Sequence, residues 1–136
     1  MTAERQFTLE EARLVLHALR PAVEALQAVQ QQLRAVKAEL NALNRRHLNN
    51  GVVAEARTRS LRLDQRRLGE EARTQIGVIT AAGAEIKGID DGLLDFPTTI
   101  QGGPAYWCWR AGEDEIDWWH PRSTGFSGRR PISEAT

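Results

Sequence analysis

The chain has 136 residues, which is enough for one modest core with an attached element but short for two independent domains. Its formal net charge is zero, which excludes a general polyelectrolyte binder of nucleic acid or anionic lipid. The single cysteine can form no internal disulfide, no apolar run approaches the roughly 20 residues of a membrane span, and the amino end lacks a secretory pattern, so we expect a soluble, cytoplasmic protein with no membrane partner.

A first helix is predicted to begin at Leu9, because Thr8 can cap the free backbone amides and Glu11 completes a capping box. Apolar residues then recur in steps of three and four from Ala12 to Leu43, which is the spacing of a coiled-coil seam. Pro21 interrupts this pattern, since proline cannot donate a backbone hydrogen bond. We therefore expect a kink or break near Pro21.

A second helix is predicted to return along the first one. Asn49-Asn50-Gly51 can end the first helix and form the tip of a hairpin. The segments Pro21–Leu48 and Val53–Ala82 would both be roughly 42 to 45 Å long, so they match as antiparallel partners. Residues 1–84 are therefore expected to form a two-helix coiled-coil arm. One hairpin buries little apolar surface, so we expect a homodimer that forms through the helices.

The pattern changes after Gly83 to short runs of strand-forming residues, separated by proline and glycine. The predicted strands are 85–89, 93–96, 98–101, 105–110 and 115–119. They indicate a small antiparallel β-meander head over residues 85–132, followed by a flexible tail at 133–136. The predicted fold class is α+β, with the helical hairpin first and the β head second.

All four tryptophans and the only cysteine lie between Tyr106 and His120. A turn at residues 111–114 would place Trp107 opposite Trp118 and Cys108 opposite Asp117. This register gives an inner face, expected to pack on the helices, that holds Trp107, Trp109, Ile116, Trp118 and His120. It gives a mixed outer face, suited to a pocket or partner surface, that holds Tyr106, Cys108, Arg110, Glu115, Asp117 and Trp119.

The same stretch contains residue types that bind zinc or iron, namely Cys108, Glu113, Asp117 and His120. Two features argue against a metal centre: the stretch has one histidine, and the predicted register puts Cys108 and His120 on opposite faces. No cofactor is therefore favoured, and a divalent metal bound by Cys108, Glu113 and His120 is the weaker alternative. The structural interpretation is a buried Cys108 and a hydrogen-bonded His120 at a strand end.

Catalysis has weak support in these residues. A nucleophilic cysteine needs a lowered pKa and a base, whereas Cys108 lies among indoles and acids. A metal-dependent or acid–base enzyme that uses Glu113 and His120, with Cys108 or Asp117 as a further ligand, is kept as an alternative. The favoured role for Glu113 is to stabilise the turn by accepting backbone amides.

Two basic segments are candidate anion-binding sites. The arm carries Arg57, Arg59, Arg62, Arg66 and Arg67, which could bind an RNA or DNA backbone, although a solvated helix face is favoured because no stacking aromatic lies nearby. The segment 125–130 could bind a phosphate or carboxylate, with a simple turn as the alternative. His17 and His47 are interpreted as ordinary surface residues.

Motifs along nearly the whole chain resemble a bacterial family known as domain of unknown function 2203, whose members are sometimes labelled division initiation proteins. The matching residues near the amino end and at the junction are Phe7-Thr8, Glu11-Ala12, Leu19-Arg20-Pro21, Gly83, Ile86-Lys87, Gly92-Leu93 and Asp95-Phe96-Pro97. Those in the head are Tyr106, Cys108-Trp109, Gly112-Glu113, Ile116, Trp119-His120, Gly125-Phe126, Gly128-Arg129 and Pro131. The chain departs from the family pattern at Trp107, Trp118 and Arg130. The resemblance implies no established activity, but it places a functional site in the head.

The leading hypothesis is a non-enzymatic interaction protein. Its arm would dimerise, and its head would bind an unidentified protein or small molecule. The residues predicted for that head site are Cys108, Trp109, Glu113, Trp119, His120 and Arg129.

Overall fold

The computed structural model describes residues 4–46 and 51–136 of the chain. Helix α1, Leu9–Arg46, begins where the capping box predicts. The backbone amide of Thr8 donates to Glu11 Oε1 at 2.9 Å, and the amide of Glu11 donates to Thr8 Oγ1 at 3.1 Å. Helix α1 continues past Pro21, so the proline does not end it. The side chain of Pro21 is exposed.

Helix α2, Gly51–Ala81, packs along α1 and completes the predicted hairpin. Leu40 of α1 and Ala54 and Leu61 of α2 are buried in this arm. In the described part of the chain, no helix is both long and apolar enough to cross a membrane. The predicted tip residues Asn49 and Asn50 lie outside the described residues, as does His47.

The head is a five-stranded antiparallel sheet in which each strand pairs with the next one along the chain, which confirms the α+β prediction. Its strands are β1 Glu85–Gly88, β2 Leu93–Ile100, β3 Gly103–Arg110, β4 Trp118–Pro121 and β5 Arg130–Pro131. Pro97 was predicted to separate two strands but lies inside β2. Its carbonyl accepts a hydrogen bond from the Phe7 amide at 2.9 Å, so its backbone polar groups point away from β3 and the missing N–H breaks no ladder bond.

The predicted register between β3 and β4 is wrong by one residue. Trp107 is opposite Trp119, and Cys108 is opposite Trp118. Since side chains alternate between the faces of a strand, the shift moves every side chain of β4 to the other face. Trp118 and His120 therefore leave the inner face, and Trp119 joins it.

The inner face of the sheet packs on both helices, where it forms one core with the first half of α1. From the sheet side this core contains Trp107, Trp109, Ile116 and Trp119, and from the helices it contains Leu16, Leu19, Val23, Leu26 and Ile79. Phe7 contributes before α1 begins: its ring contacts Phe96 edge-on at 5.3 Å, and its carbonyl accepts from Trp107 Nε1 at 2.9 Å. The head and the base of the arm are therefore one packed unit.

The acidic segment 113–117 has ionic partners on α1. Arg13 Nη2 is 3.4 Å from Asp117 Oδ1, and His17 Nε2 is 3.2 Å from Glu115 Oε2. Glu115 and Asp117 therefore attach the β3–β4 connection to the helix.

Candidate functional site

The outer face of the sheet brings together Asp95, Cys108 and His120, one from each of three neighbouring strands. Asp95 is opposite Cys108 in the β2–β3 pairing, and His120 is opposite Tyr106, which lies two residues before Cys108 on the same face of β3. One potential ligand atom from each of the three residues lies within 4.8 Å of the others. Their exposed fractions are 2%, 0% and 2%. We call these three residues the Asp–Cys–His cluster.

The prediction that Cys108 and His120 lie on opposite faces is wrong, because it depended on the incorrect register. Asp95 was not among the predicted site residues, since it lies on a different strand from the tryptophan-rich stretch. A signal was present in the sequence: a carboxylate in the otherwise apolar run Leu93–Pro97 is costly to bury unless it has a specific partner.

The imidazole of His120 is held at both nitrogens. Nε2 is 3.2 and 3.1 Å from the two carboxylate oxygens of Asp95, and Nδ1 is 2.8 Å from the carbonyl oxygen of Pro121. A carbonyl only accepts, so Nδ1 carries a proton and Nε2 faces the cluster. Burial alone would lower the pKa of His120, but the hydrogen bonds to Asp95 and Pro121 outweigh it, and the pKa is raised.

The thiol of Cys108 is kept protonated by its surroundings. Burial is the main cause that raises its pKa far above the ordinary range, and the nearby negative charge of Asp95 adds to it. His120 directs Nε2 to Asp95 and Nδ1 to Pro121, so it is not arranged as the base of a cysteine nucleophile. The arrangement supports the argument against thiol catalysis.

Glu113 and Arg129 form an ion pair beside the cluster. Arg129 Nη2 is 2.7 and 2.8 Å from the two carboxylate oxygens of Glu113. Glu113 Oε1 also accepts the Arg110 amide at 2.7 Å, which confirms the predicted role of this glutamate in the turn. The guanidinium lies 5.0 Å from the Trp118 ring centroid and 4.6 Å from that of Phe126. These contacts cover one side of the outer face.

The six predicted site residues therefore occupy three places. Cys108 and His120 belong to the buried cluster, and Glu113 and Arg129 form the neighbouring ion pair. Trp109 and Trp119 lie in the core on the inner face. Their indole N–H groups donate to the carbonyls of Glu113 at 2.9 Å and Pro131 at 3.1 Å, respectively.

Tyr106 covers the other side of the cluster. Its ring centroid is 5.5 Å from that of His120, and its hydroxyl donates to Glu85 Oε1 at 3.0 Å. Burial and this carboxylate raise the pKa of Tyr106. Lys87 and Arg122 lie 4.8 and 4.7 Å from the centroid of its ring. The cluster is thus enclosed between an aromatic ring with cationic neighbours and the Glu113–Arg129 pair.

The predicted anion-binding segments differ in how many charges are already paired. On α2, Arg57 pairs with Glu39 at 2.7 Å and Arg67 approaches Asp64 at 3.7 Å. Arg59, Arg62 and Arg66 are exposed and have no acidic partner within residues 4–46 and 51–136. In the segment 125–130, Phe126–Gly128 forms a 3-10 helix, and Arg129 is directed to Glu113.

A family model described as an uncharacterized conserved protein, DUF2203, matches residues 5–132 of the chain. The match covers the arm, the sheet and the Asp–Cys–His cluster. Separate comparisons with curated proteins and with solved structures found no match. The chain therefore belongs to the DUF2203 family of uncharacterized conserved proteins.

Proposed function

We propose that the protein is a non-enzymatic interaction protein whose rigid head holds a projecting helical arm, and that the arm binds a second copy of the chain. One observation carries this proposal: the outer half of α2 has apolar residues on two faces. Ala54, Leu61 and Leu68 are buried on the face that packs in the hairpin. The other apolar face is exposed.

The exposed face contains Val52, Ala56 and Leu63, which we call the outer stripe. Steps of four and seven residues place these side chains on one side of the helix, and exposed Arg59 lies between Ala56 and Leu63 on the same side. Val52 is 83% exposed and Leu63 is 58% exposed. A helix that is apolar on opposite faces needs a cover on each, and α1 supplies only one of them.

A second copy is the simplest cover for the outer stripe. A two-helix hairpin buries one seam, whereas two hairpins packed side by side form a four-helix layer with a shared core. A two-fold interface places the same stripe on both partners, so apolar side chains face apolar side chains. Buried apolar surface stabilises such a contact by about 25 cal/mol per Å².

The test is the mass of the full-length protein in solution. We expect light scattering after size exclusion to give twice 15.2 kDa at micromolar concentration. Leu63→Glu should give a monomer, because it places a charge in the proposed contact. Leu14→Glu is the matched control, since Leu14 is 73% exposed on the part of α1 that packs on the head, and it should stay dimeric. A monomeric wild-type chain would overturn the proposal.

The geometry of the proposed acid–base residues supports a non-enzymatic role. Glu113 is engaged by Arg129 and by the Arg110 amide, while His120 is engaged by Asp95 and Pro121. The two side chains thus have separate partners and are not directed toward a common substrate position. Each has a structural role of its own.

The head contributes a smaller contact surface to this proposal. Phe126 is 38% exposed above Arg129 and lines a cleft of about 150 Å³ with Asp91, Leu93 and Arg110. This volume suits one partner side chain and is too small for a typical metabolite.

Binding to a nucleic-acid backbone is a second candidate, favoured by the three unpaired arginines. Steps of three and four residues place Arg59, Arg62 and Arg66 on one side of α2. Arg59 and Arg62 also line a cleft of about 370 Å³ between the helices. Because these three arginines have no acidic partner among the described residues, they give the arm a positive face.

Fluorescence anisotropy with a labelled single-stranded RNA tests this candidate. Replacing Arg59, Arg62 and Arg66 by alanine should weaken binding and reduce the slope of log K against log salt by about 0.7 per lost phosphate contact. Arg57→Ala with Arg67→Ala is the matched control, because those two arginines already have acidic partners. Binding that is absent or insensitive to salt would reject the candidate.

A further inference from the structure

We infer that the Asp–Cys–His cluster is a binding site for one zinc ion, which would join strands β2, β3 and β4. The inference concerns the head and goes beyond the proposed function of the arm. The donors are a carboxylate oxygen, a sulfur and an imidazole nitrogen, all within 4.8 Å of one another. Tetrahedral zinc with bonds of about 2.0 to 2.3 Å places its ligand atoms roughly 3.5 Å apart, so small side-chain movements suffice.

The orientation of His120 is the one found in zinc sites. Histidine ligands of zinc usually donate their second ring N–H to a carboxylate or a backbone carbonyl, which fixes the tautomer and the ring plane. His120 Nδ1 meets this condition, since it is 2.8 Å from the carbonyl oxygen of Pro121. The other ring nitrogen, Nε2, is thereby directed at Asp95 and into the cluster.

The charges also match a divalent ion. A thiolate from Cys108 and a carboxylate from Asp95 supply two negative charges, and neutral His120 supplies none. With a Zn²⁺ ion the site is neutral, which suits residues that are at most 2% exposed. Binding replaces the thiol proton of Cys108, so a proton leaves as the ion enters.

The ligand types select zinc over the common hard cations. Calcium and magnesium take oxygen ligands, whereas a thiolate with an imidazole favours zinc. Each ligand comes from a different strand of one sheet, and all three side chains are buried. The ion would therefore join three strands at the centre of the head, with three protein ligands and a water molecule in the fourth tetrahedral position.

The experiment uses the full chain after chelator treatment and dialysis. Titration with Co²⁺ should give one bound ion per chain and a near-ultraviolet sulfur-to-cobalt band. Because Cys108 is the only cysteine, that band identifies the ligand without any substitution. Zn²⁺ should displace Co²⁺, abolish the band and raise the thermal midpoint. Calorimetry in buffers of different ionisation enthalpy should report proton release on binding, because the Cys108 thiol must lose its proton to act as a ligand.

Substitutions provide the second readout. His120→Gln and Asp95→Asn should each weaken Zn²⁺ binding by at least about a hundredfold, beyond the range found for outer-shell partners. His17→Gln and Asp117→Asn are matched controls, because these side chains are exposed and lie outside the cluster, and both should bind like wild type. If a cluster variant fails to fold, the wild-type cobalt band still decides the question. A natively folded wild-type chain with no cobalt band, or equal loss in the control variants, would overturn the inference.

Discussion

The head and the outer arm use similar residue types in opposite ways. In the head, apolar side chains are covered on the inner face by α1 and α2, and Glu115 and Asp117 lie beside Arg13 of α1. In the outer arm, α1 covers one apolar face of α2 and leaves Val52 and Leu63 of α2 exposed. We therefore expect most of the fold's stability to reside in the head, while the outer arm leaves apolar side chains exposed.

The ion pairs of the head and of the arm also differ in how much they are exposed to water. The Glu113–Arg129 pair of the head has side chains that are 25% and 12% exposed, and its guanidinium is stacked on two rings. The Glu39–Arg57 pair of the arm has side chains that are 45% and 48% exposed. Since water screens an exposed pair, the two pairs should differ in importance although their closest distances are equal at 2.7 Å.

The largest expected effect comes from cavities in the two regions. Phe96→Ala removes a ring that is 0% exposed in the head core and should lower the free energy of unfolding by about 3 to 5 kcal/mol. Leu61→Ala in the arm should cost about 2 to 3 kcal/mol, because a hairpin seam can close over part of the space. Chemical denaturation measures both. A larger loss of unfolding free energy for Leu61→Ala than for Phe96→Ala would show that the arm, and not the head, contributes most of the stability.

Adding one methyl group should have opposite signs in the two regions. Gly92 in the head has φ +63°, and a Cβ there would lie 2.5 Å from Ala111 Cβ, so Gly92→Ala should destabilise by roughly 2 to 4 kcal/mol. Gly69 in α2 is helical, and its nearest neighbour would be a flexible arginine tip at 3.8 Å. Gly69→Ala should therefore stabilise by about 0.5 to 1 kcal/mol. Thermal unfolding measures both, and equal signs would contradict the difference in packing.

Removing the arginine of each ion pair should give the next largest change in the free energy of unfolding. Arg129→Met leaves the carboxylate of Glu113 half-buried without its cation and should cost about 1 to 3 kcal/mol. Arg57→Met removes an exposed pair and should be close to neutral. Urea denaturation of the two variants at the same pH compares them. Similar losses would show that exposure does not decide the strength of these pairs.

The smallest effect is expected at the start of α1. Thr8→Ala removes the helix cap and should cost about 1 kcal/mol. The Thr8 amide, followed by its hydroxyl, lowers the pKa of Glu11 below its usual value of 4.5. Because the pKa of Glu11 is lower in the folded state, the stabilisation from its carboxylate is fully present above about pH 4.5. This stabilisation is lost as the pH falls through the folded-state pKa of Glu11. NMR titration should show the pKa of Glu11 rising part of the way toward 4.5 in Thr8→Ala, since the backbone amide remains, and an unchanged pKa would show that the hydroxyl does not contribute.

The helices and the strand order could be predicted because their signals are local. The capping box, the apolar spacing along α1 and the turn residues after Gly83 each depend on a few neighbouring positions. The register of β3 and β4 could not be predicted in this way, because tryptophan faces tryptophan in both alternatives. The register depends on the β3–β4 connection, which is held by contacts with Arg13 and His17 of α1. These residues are far from the connection in the sequence.

The site was harder to predict than the fold because it combines three strands. Cys108 and His120 were identified from their residue types, but their position on a common face depends on the register. Asp95 joins them only through the β2–β3 pairing. A rule that examines every acid in an apolar strand run would have included Asp95, since a buried carboxylate needs a partner.

The continuity of α1 has a mechanical consequence. At about 1.5 Å per residue, its 38 residues form a rod roughly 57 Å long, and Pro21 does not interrupt it. The first half of α1 packs in the core against the sheet. Farther along the helix, Arg34 forms an ion pair with Asp90 in the β1–β2 turn. We therefore expect a force applied at the far end of α1 to be transmitted along the helix to the sheet, with the Arg34–Asp90 ion pair as one of the contacts that join them.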